Sequence, residues 1–195
     1  RFAQEALVTW GPMADDGQQA LVLLDEWVPN PRSLTGEEAV QHMLVRYLDG
    51  HGPATLQDFA WWTKVTMSSA KRGLQLAREA GELTELDVDG TTMWARTRSL
   101  DADVSRPTAG HVLALPGFDE YLLGYQDRSA VLDPEHADKI VPGGNGVFLP
   151  ILVHHGRIIG TWRLASSDHR WFVDGPGAPS EELRRSIEDY AGFVG

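Results

Sequence analysis

The sequence contains no cysteine among its 195 residues. This absence excludes disulfides, thiolate metal sites and cysteine nucleophiles within the chain. The sequence also lacks a run of about 20 apolar residues, the length that a transmembrane helix needs. The first residues lack the basic and apolar stretches of a secretory signal. Because the chain begins with Arg1, we expect that an N-terminal region of the protein is missing from it.

Basic residues are scarce, with 17 Lys and Arg against 28 Asp and Glu and a net charge of −11. This balance disfavours binding of nucleic acid over the whole surface, because phosphate contacts need cations. The negative net charge does not exclude a local basic face. Residues 55–80 carry such a local excess, with four basic and two acidic side chains.

Residues 1–32 contain two turn signals, Trp10-Gly11-Pro12 and Asp15-Asp16-Gly17. An apolar strand is predicted at residues 20–27, ended by Pro29-Asn30-Pro31. We interpret residues 1–32 as the trailing strands of a preceding winged-helix module.

Residues 33–97 show the clearest pattern. A helix is predicted at 36–48 with an N-terminal capping box of Thr35 and Glu38, a second at 56–63 capped by Thr55, and a third that begins between residues 66 and 69 and ends near Gly81. Two alternating strands then flank the turn Asp89-Gly90. Three helices followed by a hairpin are the order of a winged helix-turn-helix.

Residues 98–195 begin with a polar linker to residue 110 and then mix strands and helices. Strands are predicted at 112–115, 147–153 and 157–164, the last two joined by His154-His155-Gly156. A final helix is predicted from Ser180 to about residue 193. The fold class is therefore α+β, a winged helix followed by a domain of sheet and helices with a β-hairpin.

The third predicted helix is the candidate DNA reader. Leu74, Leu76, Ala77 and Ala80 are its expected inner face. The expected DNA contacts on or near its polar side are Lys64, Ser68, Ser69, Lys71, Arg72, Gln75 and Arg78. The alternative is a solvated helix face in a protein-interaction module. The turn at Asp89 is acidic, so we expect it to stay away from phosphate.

Three stretches resemble the winged-helix DNA-binding family that includes bacterial DNA glycosylases for bulky alkyl adducts and interstrand crosslinks. They are residues 52–62 (GPATLQDFAWW), residues 115–128 (LPGFDEYLLGYQDR), and residues 148–163, from FLP to GRIIGTWR. The resemblance implies the C-terminal half of an array of winged helices with a concave DNA-facing surface. It also implies that the hairpin around Gly156 lies against the duplex, with His154, His155 and Arg157 as its contacts.

The family's glycosylases carry a catalytic glutamine–hydrophobic–glutamine or glutamine–hydrophobic–aspartate triplet in an N-terminal part. No such triplet occurs in this sequence, where Gln18-Gln19, Gln57-Asp58 and Gln126-Asp127 are adjacent pairs. The chain alone is therefore assigned no catalytic residue, and whether the full-length protein is an enzyme stays open.

Two interpretations of residues 118–128 remain. The segment is either a surface patch in which Tyr121, Tyr125 and Arg128 contact nucleic acid, or a structural loop in which Asp119 or Asp127 pairs with Arg128. We favour the structural interpretation.

We predict no cofactor and no metal. His154 and His155 are adjacent, and neighbouring side chains on a strand point to opposite faces, which disfavours shared coordination of an ion.

The sequence predicts a DNA-binding fragment of a repair glycosylase-like protein that holds double-stranded, damaged DNA by shape and phosphate contacts. The expected location is the cytoplasm, at the nucleoid, with no membrane partner. The alternatives are a non-enzymatic winged-helix regulator and a protein-interaction module.

Overall fold

The structure is a computed structural model that describes residues 5–101, 112–163, 168–172 and 180–194. The chain divides into two compact units, residues 1–36 and residues 37–195. Most of the predicted linker, residues 102–110, lies outside the described residues. The second unit includes both sides of the domain boundary expected at residue 97, so that boundary stays a prediction.

The first unit is an antiparallel hairpin of β1 (Val8–Met13) and β2 (Gln19–Leu23), followed by the helical turn α1 (Leu24–Trp27). The strand expected at 20–27 is therefore too long. It ends at Leu23, and the backbone N–H of Val28 donates to the carbonyl of Leu24, which closes a single helical turn. The interpretation of these residues as part of a preceding winged helix stays a prediction.

The second unit opens with three helices and a hairpin. They are α2 (Gly36–His51), α3 (Leu56–Thr63), α4 (Met67–Glu79), β3 (Leu83–Val88) and β4 (Thr91–Arg96), followed by the helical turn α5 (Thr97–Leu100). The predicted order is confirmed. Thr55 and Asp58 form a reciprocal capping box at the start of α3, and Thr66 caps α4. An isolated antiparallel bridge joins Ala54 to Trp94.

The core of this part lies between the three helices and the hairpin. It consists of Leu44, Val45, Tyr47, Leu48, Ala54, Leu56, Phe59, Ala70, Ala77, Leu83 and Trp94. The expected inner face of α4 was partly wrong, because Ala70, Gly73 and Ala77 are its buried residues, whereas Ala80 is exposed. A Cβ at Gly73 would lie 2.8 Å from Cγ1 of Val40, so small residues allow α4 to approach α2 closely.

The remainder of the unit is a four-stranded antiparallel sheet in the order β5 (Val112–Leu115), β6 (Ile151–His154), β7 (Arg157–Arg163) and β8 (Asp168–Trp171). The strand expected at 147–153 begins only at Ile151, because Pro150 has no backbone N–H for a ladder. The mixture of small sheets and helices confirms the α+β class.

Alternation along β6 supplies two cores, one on each face of the sheet. Leu152 packs with Trp162 and with Leu183 of α8 (Ser180–Val194). Ile151 and Val153 pack on the other face, with Leu122, Leu132, Ile140, Ile158 and Phe172. Residues 120–144 cover that face with α6 (Glu120–Leu123), α7 (Ala137–Ile140) and two short 3₁₀ turns. No helix in the described ranges combines the length and apolar character of a membrane span.

Candidate nucleic-acid interface

The helix α4 presents the polar face that the sequence predicts. Ser68, Lys71, Arg72, Gln75 and Arg78 are exposed, while Ser69 is half-buried. The hydroxyl of Thr66 accepts a hydrogen bond from the backbone N–H of Ser69 at 3.1 Å and contacts its hydroxyl at 2.9 Å. This cap occupies one of the free N–H groups at the helix start, so a phosphate there would meet those of Met67 and Ser68.

The polar face carries a chain of side-chain hydrogen bonds. Arg72 donates from Nε to Glu37 at 2.8 Å and from Nη1 to Gln75 at 2.9 Å, and Gln75 donates to Glu79 at 2.8 Å. Arg72 is therefore paired with a carboxylate of α2. An exposed pair of this kind contributes about 0–1 kcal/mol, so a phosphate can replace it at small cost.

The other cationic side chains near α4 differ in whether they already have a partner within the protein. Arg78 lies 3.8 Å from Glu85 and 5.1 Å from the ring of Trp94. Lys71 has no ion pair or hydrogen bond within the part of the chain that the structure describes. Lys64, in the left-handed conformation at the end of α3, places Nζ 4.4 Å from the centroid of Trp61. The available positive charge on this surface is thus centred on Lys71.

The second candidate contact is the hairpin tip, residues 154–157, between β6 and β7. Its left-handed residues are His155, with φ of 48°, and Gly156, with φ of 75°. The hydroxyl of Tyr121 donates to the carbonyl of Gly156 at 2.7 Å, and Nη1 of Arg157 donates to the carbonyl of Ala130 at 3.3 Å. The tip is therefore held by α6 and by the loop after it, while His155 and Arg157 stay exposed.

The premise that His154 and His155 point to opposite faces was wrong. The strand ends at His154, and the positive φ of His155 turns its ring back, so that the two ring centroids lie 4.0 Å apart. Burial, and then the neighbouring charge of His155, lower the pKa of His154. Within the described ranges, no three His, Asp or Glu side chains lie close enough together to hold a metal ion.

The side chains of five predicted site residues each form a hydrogen bond with a backbone group of the second unit: Asp119, Tyr121, Tyr125, Asp127 and Arg128. The expected pairing of Arg128 with Asp119 or Asp127 was wrong. Asp119 accepts from the backbone N–H of Tyr121, and Asp127 accepts from that of Ser129. Arg128 donates from Nε to the carbonyl of Leu122 at 2.9 Å, because its side chain turns back toward α6.

Residues 118–128 also dock against the helices. Asp58, buried with 5% exposure, accepts from the backbone N–H of Gln126 at 2.8 Å. Tyr47 donates to the carbonyl of Gly124 at 2.8 Å, and Tyr125 donates to that of His51 at 2.6 Å. Burial and then the negative charge of Asp58 raise the pKa of both tyrosines, so each remains a protonated donor at neutral pH.

The three stretches that carried the resemblance meet in space. Residues 52–62 contribute Asp58 and Trp62, whose indole N–H donates to Glu120 at 3.0 Å. Residues 115–128 lie between the other two stretches, because Tyr121 reaches the hairpin tip and a Cβ at Gly117 would lie 2.7 Å from the carbonyl oxygen of Phe148. Among the described residues, no hydrogen bond or ion pair joins α4 to the hairpin tip. The two candidate DNA contacts are separate and are linked through residues 118–128.

Sequence reasoning missed a cleft of about 540 Å³ beside Arg128. Its lining is largely apolar, with Leu122, Leu132, Ile140 and Phe148, and it includes Arg128. Burial lowers the pKa of Arg128, which lies 5.1 Å from the Phe148 ring and 5.7 Å from the Trp61 ring. The two aromatic residues come from distant segments, and no local sequence signal brings them together.

The chain matches one protein-family model, described as DNA glycosylase AlkZ-like, over residues 2–192. A curated relative, the interstrand DNA cross-link repair glycosylase of Streptomyces sahachiroi, is 30% identical over 161 residues, which are 81% of this chain and 42% of the relative. The solved structure of the Streptomyces sahachiroi DNA glycosylase AlkZ aligns with a TM-score of 0.74 at 22% identity, over 94% of this chain and 52% of that one. The chain thus spans about half the length of these proteins or less and shares their fold.

Proposed function

Because the chain belongs to the DNA glycosylase AlkZ-like family, we propose that it is the DNA-binding part of a repair glycosylase that acts on damaged duplex DNA. The proposal treats α2, α3, α4 and the β3–β4 hairpin as a winged helix, with α4 facing the duplex. It treats the hairpin tip as a second contact. Shape and phosphate contacts, more than base reading, hold the DNA.

The observation that carries the proposal is the exposed polar face of α4. Lys71 is available to a phosphate, and Arg72 reaches one by exchanging an exposed partner, Glu37. Gln75 lies beside Arg72 on the same face, in reach of a groove edge. The β3–β4 hairpin is less suitable than α4 as a DNA contact, because Asp87 and Asp89 place negative charge at its turn.

The proposal assigns the chemistry to residues outside this chain. The chain corresponds to the C-terminal part of a longer array of winged helices, and it contains no glutamine–hydrophobic–glutamine or –aspartate triplet. The match covers 42% of the curated relative, so more than half of that protein lies outside it. In this scheme the present residues orient the duplex, and the preceding part activates water at the N-glycosidic bond.

Fluorescence anisotropy with a labelled duplex tests the proposal. We expect affinity that falls steeply with salt, and the variant Lys71→Ala/Arg72→Ala should lose roughly tenfold in affinity, with the salt slope reduced by about 1 for each lost phosphate contact. The matched control is Arg184→Ala/Arg185→Ala, which removes the same charge from exposed arginines of α8. Equal losses in both variants would remove α4 from the interface.

A protein-interaction module is the second candidate. The net charge of −11 favours it, as does the pairing of Arg72 and Arg78 with carboxylates. This candidate predicts weak duplex binding that changes little between low and physiological salt. A non-enzymatic regulator would bind DNA as proposed, but the full-length protein would release no base from alkylated or crosslinked DNA.

A further inference from the structure

A cluster of aromatic rings and cationic side chains joins the end of α3 to the chain between β5 and β6. Lys64 lies over Trp61, Arg128 lies near both Trp61 and Phe148, and the ring centroids of Phe118 and Phe148 are 5.8 Å apart. We call these five residues the aromatic–cation cluster. They come from three separate segments, and Phe148 and Arg128 also line the 540 Å³ cleft.

Among the described residues, no carboxylate pairs with the guanidinium of Arg128. Its Nε donates to the carbonyl of Leu122. Burial lowers its pKa, which means that the surroundings disfavour its charge. A guanidinium that lies against aromatic rings and has free N–H groups presents both a stacking plane and donors to a ligand.

Phe118 combines two features that are unfavourable for the stability of the fold. The residue is 55% exposed, and its φ is 61°, in the left-handed region that a bulky residue rarely adopts. Gly117 fixes this turn through its close approach to the carbonyl oxygen of Phe148. Burial does not compensate for the strained backbone, so the position of this ring points to a contact outside the folded chain.

The surrounding charges decide which ligand fits. Asp119 directly follows Phe118 and Asp127 directly precedes Arg128, and each carboxylate accepts from a backbone N–H of its own turn. These negative charges oppose a path of phosphates past Phe118 and Arg128. The rings and the guanidinium plane instead suit a flat uncharged group such as a nucleobase, because bases stack on aromatic side chains whatever their sequence.

We propose that the aromatic–cation cluster stacks an unpaired nucleobase of distorted DNA, with the exposed ring of Phe118 as the stacking surface, Phe148 packed beside that ring and Arg128 at the edge of the base. Lys64 then meets the adjacent phosphate. This inference rests on the proposed function, because it assumes that the chain meets DNA. It assigns discrimination between distorted and intact duplex to residues outside α4 and the hairpin tip.

The test compares a fully paired duplex with the same duplex carrying one unpaired thymine, both labelled with fluorescein. We expect the chain to bind the bulged duplex at least fivefold tighter, and Phe118→Ala to abolish most of that preference while binding the paired duplex within about twofold of wild type. The control is Phe193→Ala, which removes an 86% exposed ring from α8 and should leave the preference intact.

Arg128→Lys keeps the charge and removes the planar group, so it should also reduce the preference. If this variant unfolds, Phe118→Ala and Phe118→Gly still decide the question, since residue 118 is exposed. An unchanged preference in the Phe118 variants would overturn the inference and leave the proposed function standing. No binding of either duplex by the wild-type chain at low salt would overturn both.

Discussion

The carboxylate of Asp58 holds two distant segments together. Its Oδ2 accepts from the backbone N–H and the hydroxyl of Thr55, at 3.0 and 2.6 Å, while its Oδ1 accepts from the backbone N–H of Gln126 at 2.8 Å. One buried side chain therefore caps α3 and fixes the loop that follows α6.

Replacing Asp58 by Ala should lower the free energy of unfolding by about 2–4 kcal/mol, because it removes a helix cap and leaves buried donors without an acceptor. Urea unfolding followed by circular dichroism measures the change. The control is Gln57→Ala on the exposed side of α3, which should change stability by less than about 0.5 kcal/mol. Similar effects of the two substitutions would show that Asp58 contributes no more than its neighbour.

The pairing of Arg72 with Glu37 should restrain DNA binding. Glu37→Gln removes that competing carboxylate, so we expect duplex affinity to rise by up to about fivefold at low salt, with stability reduced by no more than about 1 kcal/mol. Glu38→Gln makes the same change of net charge at the next exposed position of α2. An equal gain in affinity from both variants would mean that only net charge, and not release of Arg72, is responsible.

Phe118→Gly should be more stable than Phe118→Ala by about 1–2 kcal/mol. Both variants lose the ring, but only glycine adopts a φ of 61° without strain. Thermal or urea unfolding of the two variants, side by side, measures the difference. If Ala is as stable as Gly, the backbone of residue 118 relaxes in solution and the ring is not held by its turn.

Stability should decrease as the pH falls through the usual titration range of histidine. Burial and the charge of His155 lower the pKa of His154 in the folded state, so the unfolded chain binds a proton first. The contribution of His154 is present above the unfolded pKa of about 6.5 and is lost as the pH falls below it. Unfolding measured from pH 8 to 5 should show this slope, and His154→Asn should reduce it.

His155→Asn provides the companion measurement. It removes the neighbouring charge, so the pKa of His154 should move back toward its ordinary value. The ring proton resonances of His154, followed by NMR through the same pH range, report this movement. An unchanged midpoint in His155→Asn would show that burial alone sets the pKa of His154.

Short sequence motifs correctly predicted the helix starts and turns that depend only on neighbouring side chains. Thr55 as a cap and the Asp89-Gly90 turn follow from side chains within a few residues, and the structure has both. The polar face of α4 followed from periodicity. The inner face was partly mispredicted, because Gly73 packs against α2, a long-range contact that hydrophobicity does not report.

The candidate site was less predictable, because its arrangement depends on partners far apart in sequence. Nothing near Arg72 indicates Glu37, and nothing near Arg128 indicates Trp61. The error about His154 and His155 has a local cause. The rule of opposite faces holds only within a strand, and His155 already lies in the turn.

The tyrosine contacts of residues 118–128 have a mechanical consequence for any DNA that meets both α4 and the hairpin tip. Tyr121 ties the tip to α6, while Tyr47 and Tyr125 tie the residues just after α6 to α2. The spacing of the two contacts is thereby set before binding, and the deformation needed to match it falls on the duplex. Under the proposed function, a duplex that a lesion has already bent or unstacked needs less elastic energy to comply, so this fixed spacing would add to the preference that the aromatic–cation cluster gives for distorted DNA.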